Sequence, residues 1–371
     1  MRGYRLLGEG AIISSSALGR LSEPKAVIFD CDGTLIETTR SYGLAIRLTP
    51  TILMREACGV EVTLGPEVEE AVTALRLLGG FNNDWDTASA IFQSISLHSL
   101  LHGIHPKLKK LGEVDVEDYL GSATSSKSSP NYVADALKWI IEKCEKLRGG
   151  YAGLSEIERM LQDYAYEKGV EEGFLELRRR LELDKPMSYG SNLIATLFDE
   201  IYLGESGVRE KYGVEPTHIR WRGAVVDEEI LVSRETLREL SEIFRGRLGL
   251  VTGRGRWETW RTLETLRHYF NSEACVFIAD YGNPEYEKPS PKPLLDSAKA
   301  LKADSVIYVG DSAEDLQMSR NAEKEGLQVL FAAVASSDKQ LQYFLGNGAD
   351  IILDDVNLLL KALEVTNAWW M

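Results

Sequence analysis

Asp30-Cys31-Asp32-Gly33-Thr34 closes a short apolar run, Lys25-Ala26-Val27-Ile28-Phe29. In an extended backbone, side chains two apart point the same way. The spacing therefore aims the carboxylates of Asp30 and Asp32 at one spot at the carboxyl end of a strand, where open α/β sheets bind ligands. Gly33 lets the chain turn sharply and bares backbone N–H groups to an anion. Two neighbouring carboxylates repel and need a cation or a shared proton. That pairing suits a nucleophile beside an acid/base. A turn with two solvated aspartates is the alternative for this motif alone.

Three further elements follow in order. Gly249-Leu250-Val251-Thr252-Gly253-Arg254 offers a hydroxyl and a flexible N–H. Lys288-Pro289-Ser290-Pro291 holds a cation in a loop stiffened by two prolines. Val309-Gly310-Asp311-Ser312-Ala313-Glu314-Asp315 supplies two more aspartates. Each alone has an ordinary explanation, since T-G turns are common, such lysines are mostly solvated, and G-D often marks a helix cap. Their order and their shared place at strand ends make coincidence a poor account.

The elements that must position them read as strand and helix in alternation. Apolar runs at 25–30, 248–251, 275–279, 306–309, 329–334 and 351–353 are separated by helical patterns at 233–244, 257–269, 293–301 and 316–324. This predicts a parallel sheet with helices on both faces. From 37 to 232 there is little strand signal and much 3.6-residue periodicity, as at 68–78, 132–147, 154–166, 174–183 and 193–202. A Ser/Gly-rich stretch at 121–130 reads as a loop. The expected architecture is α/β: a Rossmann-like core of 1–36 and 233–371, with a large all-helical cap, 37–232, inserted after the first strand.

Composition fits that picture. The 371 residues suggest about two domains. A net charge of −15 makes nucleic acid and anionic membranes poor partners. No apolar run approaches the roughly 20 residues of a membrane span. Gly8, Glu9 and Gly10 interrupt the apolar N-terminal stretch, which argues against a signal peptide. Cys31, Cys58, Cys144 and Cys275 are too scattered for a metal motif or a disulfide framework. A cytoplasmic, reducing location is the expectation.

The four elements resemble the four signature motifs of the haloacid dehalogenase superfamily, and the insertion stands where its helical cap does. Within it the chain resembles the capped, phosphoglycolate phosphatase-like branch. That resemblance implies a Mg²⁺-dependent phosphatase acting on a small soluble phosphomonoester. Asp30 would be the nucleophile and Asp32 the general acid and base. Gly33, Thr252, Gly253 and Lys288 would bind the phosphoryl group. Asp30, the Asp32 carbonyl and Asp311 would hold the metal as hard oxygen ligands, while Asp315 would orient Lys288 or a metal-bound water. Asp32 narrows the chemistry, since dehalogenases lack this second aspartate and phosphonate-cleaving members carry a small residue there. A phosphosugar mutase is the runner-up, disfavoured by Glu37 and Thr38, where those enzymes usually carry an Asp. A non-catalytic phosphometabolite-binding protein is the alternative of another class.

Within the insertion, Gly79-Gly80-Phe81-Asn82-Asn83-Asp84-Trp85 is a turn rich in amides and aromatics. Asn82, Asn83, Asp84 and Trp85 are candidate specificity residues, the competing reading being a helix corner with an Asn cap. This turn and the run 197–204 both resemble stretches in one branch of the capped phosphatases. Arg254 and Arg256 either contact a substrate anion or start a solvated helix. His98, His102 and His105 have metal-like spacing, but Gly103 and Pro106 would break their helix. Trp369 and Trp370 suggest a docked tail.

Overall fold

The computed structural model describes residues 3–8, 10–65, 67–81, 83–123, 129–147 and 152–367. It comprises two compact units, one of Met1–Thr38 with Glu228–Met371 and one of Thr39–Asp227. The expected Ser/Gly loop lies partly, and the Trp369–Trp370 pair and Asn82 wholly, outside the described residues.

The first unit is built on an eight-stranded, mostly parallel sheet. Its strands are β1 (Tyr4–Gly8), β2 (Ala11–Ser14), β3 (Ala26–Phe29), β4 (Leu248–Thr252), β5 (Cys275–Phe277), β6 (Ser305–Gly310), β7 (Gln328–Val334) and β8 (Ile351–Leu353). Their order across the sheet is β1-β2-β8-β7-β6-β3-β4-β5. The strand that carries Asp30 is the third of the chain, not the first. An N-terminal hairpin, β1–β2, precedes it and adds antiparallel to β8. Gly8 and Gly10 adopt φ of 145° and 80° at the turn between the two strands, a region closed to most side chains.

The parallel strands β3, β4, β5, β6 and β8 are buried along their whole length, as is β7 beyond Gln328, so they are nearly continuously apolar. Val27, Phe29, Leu250, Ile307 and Ala332 face one core with Leu237, Leu240 and Leu263 from covering helices. Ala26, Ile28, Val251, Tyr308 and Phe331 face the other with Leu294, Leu316 and Phe344. The alternation is the period of two that a pleated strand imposes. Each fully buried Leu, Ile or Phe contributes about 1.5–3 kcal/mol, which fixes the register of the strands that carry the polar ends. A short antiparallel ribbon, Ile36–Glu37 with Glu229–Ile230, joins the two places where the chain leaves and re-enters this unit.

Among its described residues the second unit is mainly helical, its strand pairing being a two-residue parallel match of Gly79–Gly80 with Ala152–Gly153 and a bridge of Val114 to Ile219. At its centre runs the helix Asp84–Leu101, every residue of which from Thr87 to Leu100 is buried. The amphipathic helices Asn131–Leu147 and Leu154–Glu167 and the helices Tyr42–Ile52 and Leu193–Tyr212 pack around it. Among the described residues no helix is long and apolar enough to cross a membrane.

Candidate active site

Neighbouring strands β3 and β6 pair Phe29 with Val309, and the Asp30 N–H donates to the Val309 carbonyl at 2.8 Å. Asp30 and Asp311 therefore leave the sheet side by side at its carboxyl edge. On the other flank of β3, β4 ends at Thr252. The loop after β5 supplies Lys288, just before the helix Lys292–Ala300.

Lys288 Nζ lies 2.9 Å from Asp30 Oδ1 and 2.7 Å from Asp315 Oδ1, with all three residues buried. Asp315 also accepts from the Tyr308 hydroxyl at 2.7 Å and from the Ser312 N–H and Oγ at 3.1 and 2.7 Å. Ser312 and Asp315 form a reciprocal capping box that starts the helix Ala313–Lys324. Gly310 makes room for this, because a Cβ there would sit 2.6 Å from the Asp315 carboxyl carbon.

Burial pushes the Asp30 carboxyl up to about 7, with Asp315 and Asp32 adding to the effect and Lys288 opposing it. Burial also raises Asp315, but Lys288 and the hydrogen bonds from Ser312 and Tyr308 outweigh it and hold this carboxyl below its ordinary value. Lys288 resists its own burial, and the two aspartates keep it charged well above the usual lysine range.

Among the described residues, Asp30, Asp311 and Asp315 form a group whose ligand atoms lie within 4.8 Å of one another. Three carboxylates against the single Lys288 ammonium leave two negative charges, which a divalent cation would balance. Asp315 already accepts four hydrogen bonds, so Asp30 and Asp311 are the members of the group that could hold an ion. Gly33, at φ 68°, packs so closely that any Cβ would collide with the Asp311 carboxylate. This close approach, together with the turn, is why glycine is needed there.

Thr252 is fully buried, and its Oγ accepts the Arg254 N–H at 3.2 Å. Gly253 follows it directly in the same turn. Cys31 is buried in one of the cores, and its thiol is raised far above the ordinary value by burial.

Arg254 does not stand at a solvated helix start. Its side chain is 1% exposed. Nε donates to Asp32 Oδ1 at 2.5 Å. The two terminal nitrogens grip Glu228, Nη1 at 3.1 Å from Oε2 and Nη2 on Oε1. Glu228, 0% exposed at its side chain, was not a candidate. Local sequence gave no signal for it, because the run Asp227-Glu228-Glu229 reads as a solvated acidic turn. Tyr308, which braces Asp315, was also missed, because it reads as one more apolar strand residue.

In the helical unit, the side chain of Asn83 caps the helix Asp84–Leu101 by accepting the Trp85 N–H at 2.9 Å. Asp84 pairs with Arg76 at 2.8 Å. Trp85 Nε1 donates to Asp199 at 2.8 Å, and the Tyr212 hydroxyl donates to the same carboxylate. The two stretches that sequence set apart, 79–85 and 197–204, thus meet in one network. The histidines do not converge: His98 Nδ1 lies 2.9 Å from the Ser94 carbonyl, whereas His102 Nε2 lies 2.8 Å from Asp135. Among the described residues they form no metal-binding group.

The sequence model of the haloacid dehalogenase-like hydrolases matches residues 24–323. No curated protein matches. Among solved structures the chain is similar to "Phosphatase Tt82" from Thermococcus thioreducens, with 22% identity over 91% of this chain and 98% of that one and a TM-score of 0.52, a likeness of fold. A protein named as a haloacid dehalogenase-like hydrolase from Bacteroides fragilis aligns over 91% of this chain and all of that one at 14% identity, but its TM-score of 0.38 carries no argument. The family match spans most of the chain and both ends of the polar constellation, and on it the chain belongs to the haloacid dehalogenase-like hydrolases.

Proposed function

We propose that the protein is a Mg²⁺-dependent phosphatase that hydrolyses a small soluble phosphomonoester through a phosphoryl-Asp30 intermediate. The observation that carries this reading is the buried Asp30–Lys288–Asp315 array at the carboxyl edge of the sheet, with Asp311 beside it and Asp32 in the same turn. A carboxylate held by a lysine at the open end of the sheet supports attack on phosphorus. The Asp30 oxygen forms a bond to phosphorus as the ester P–O bond breaks, and Asp32 gives its proton to the departing alkoxide. Asp32 then takes a proton from water, whose oxygen attacks the phosphorus and releases inorganic phosphate and free Asp30.

Lys288 neutralises charge on the phosphoryl oxygens, and Asp315 and Tyr308 keep its ammonium in place. Thr252 and the Gly253 N–H would receive those oxygens. Mg²⁺, held by Asp30, Asp311 and the Asp32 carbonyl, would screen the repulsion between carboxylate and phosphate. A reducing cytoplasm suits four cysteines that are all free and buried. The helical unit, Thr39–Asp227, is assigned the choice of substrate.

Phosphate release from a panel of phosphorylated metabolites tests the reading. Turnover should require Mg²⁺, stop with chelator and return when the metal is restored. Undiminished turnover in chelator removes the metal assignment. Binding without release on any ester would make the chain a phosphometabolite-binding protein instead.

A further inference from the structure

Arg254 sits between two carboxylates contributed by separate segments of the chain. Asp32 belongs to the turn after β3, Arg254 to the turn after β4, and Glu228 is the residue immediately before the returning strand of the ribbon, Glu229–Ile230. A guanidinium is planar, and its donors form a rigid fork. Here the fork of the two terminal nitrogens grips Glu228 from one edge, which fixes the plane and leaves Nε–H aimed at Asp32 Oδ1. Glu228 is itself held, since the Thr262 hydroxyl donates to its Oε2. Both Arg254 and Glu228 are shut off from solvent, at 1% and 0% side-chain exposure, whereas the Asp32 side chain is 36% exposed. The assembly thus presents one partly open carboxylate on a buried, hydrogen-bonded base.

We propose that Arg254, locked by Glu228, is a positioning residue that sets where the Asp32 carboxylate stands for proton transfer to the leaving group. The inference rests on the proposed acid/base role of Asp32 and adds two residues to it. Because Glu228 adjoins the ribbon strand, the place of the acid/base is tied to the point where the chain re-enters the sheet unit. A lysine at 254 would keep the charge but lose the fork. It could reach one carboxylate and not fix the other.

The leaving group supplies the test. Departure of an alkoxide needs a proton in the transition state, whereas p-nitrophenolate leaves well without one. The parameter kcat/KM reports the steps up to that departure. Arg254→Lys and Glu228→Gln, which avoid the bare buried charge of an alanine variant, are compared with wild type on glycerol 3-phosphate and p-nitrophenyl phosphate. Asp32→Asn is carried alongside, and folding of each variant is checked by circular dichroism.

Each of the two variants should lose at least tenfold in kcat/KM on the alkyl ester and under threefold on the aryl ester. Arg254→Lys added to Asp32→Asn should cost less than a further twofold on the alkyl ester, because a residue acting through Asp32 has nothing left to position. Equal losses on both esters, no loss on either, or full additivity with Asp32→Asn would overturn the proposal. If Asp32→Asn itself shows no preference for the aryl ester, the acid/base reading fails, and the inference falls with it. If Asp32→Asn shows that preference and the other two variants do not, only the positioning role is wrong.

Discussion

Replacing Asp315 with Asn keeps the side-chain shape and removes the charge at the centre of the buried array. The carboxylate accepts from Lys288 Nζ, the Tyr308 hydroxyl, the Ser312 N–H and Ser312 Oγ. An amide can offer one acceptor oxygen, and its NH₂ must then face either the Lys288 ammonium or the Ser312 N–H, donor against donor. Breaking a buried ion pair by removing one partner costs about 3–5 kcal/mol. Lys288 keeps Asp30 at 2.9 Å, which places the loss near the lower end, about 3 kcal/mol. The sheet unit has about 180 residues, a size at which 1 kcal/mol shifts the melting temperature by about 2–4 °C. Asp315→Asn should therefore melt about 6–12 °C below wild type in metal-free buffer at neutral pH, followed by circular dichroism. Adding Lys288→Met should cost much less than it does in the wild-type background, because the pair is already broken. A fall of under about 2 °C, or simple additivity, would refute the reasoning that Asp315 and Lys288 form a buried, coupled pair.

Three other outcomes are expected. Asp30, raised to about 7 in the metal-free protein, holds a proton more tightly folded than unfolded; its contribution to stability is complete below the ordinary carboxylate range and is lost as pH rises through about 7. Metal binding needs the ionised form, so Mg²⁺ affinity by titration calorimetry should rise about tenfold from about pH 6 to about pH 8 and then level off, and a flat profile contradicts this. Gly33→Ala forces φ 68° on a side chain and drives its methyl into Asp311, so Mg²⁺ affinity should drop at least about tenfold in a folded protein. Asn83→Ala removes a helix cap and should cost about 1 kcal/mol of stability, whereas an unchanged melt would deny the cap its role.

The parallel strands were legible because residues buried on both faces form unbroken apolar runs that end abruptly on Asp30, Thr252 and Asp311. The polar motifs were legible because those ends are where side chains two apart share a direction. What was hidden is what depends on distant partners. The helix Asp84–Leu101 is buried on all sides, so it lacks the one-sided stripe that announces a helix. The β1–β2 hairpin is held by pairing with β8, some 340 residues away, and the sequence near its glycines shows only interruption. Glu228 and Arg254 each look like surface charges, and only the fold brings them together out of solvent. Trp85 likewise gave no sign that its indole would be tied to Asp199.

Rapid acid quench during turnover of ³²P-labelled substrate, followed by peptide mapping, addresses the covalent step itself. An acid-stable, alkali-labile phosphoryl group should be found on the peptide that contains Asp30, should vanish when unlabelled substrate is chased through, and should be absent from a folded Asp30→Asn variant that also has no turnover. Label on another peptide, or an Asp30→Asn variant active within about tenfold of wild type, a barrier change of only ~1.4 kcal/mol, would contradict Asp30 as the nucleophile.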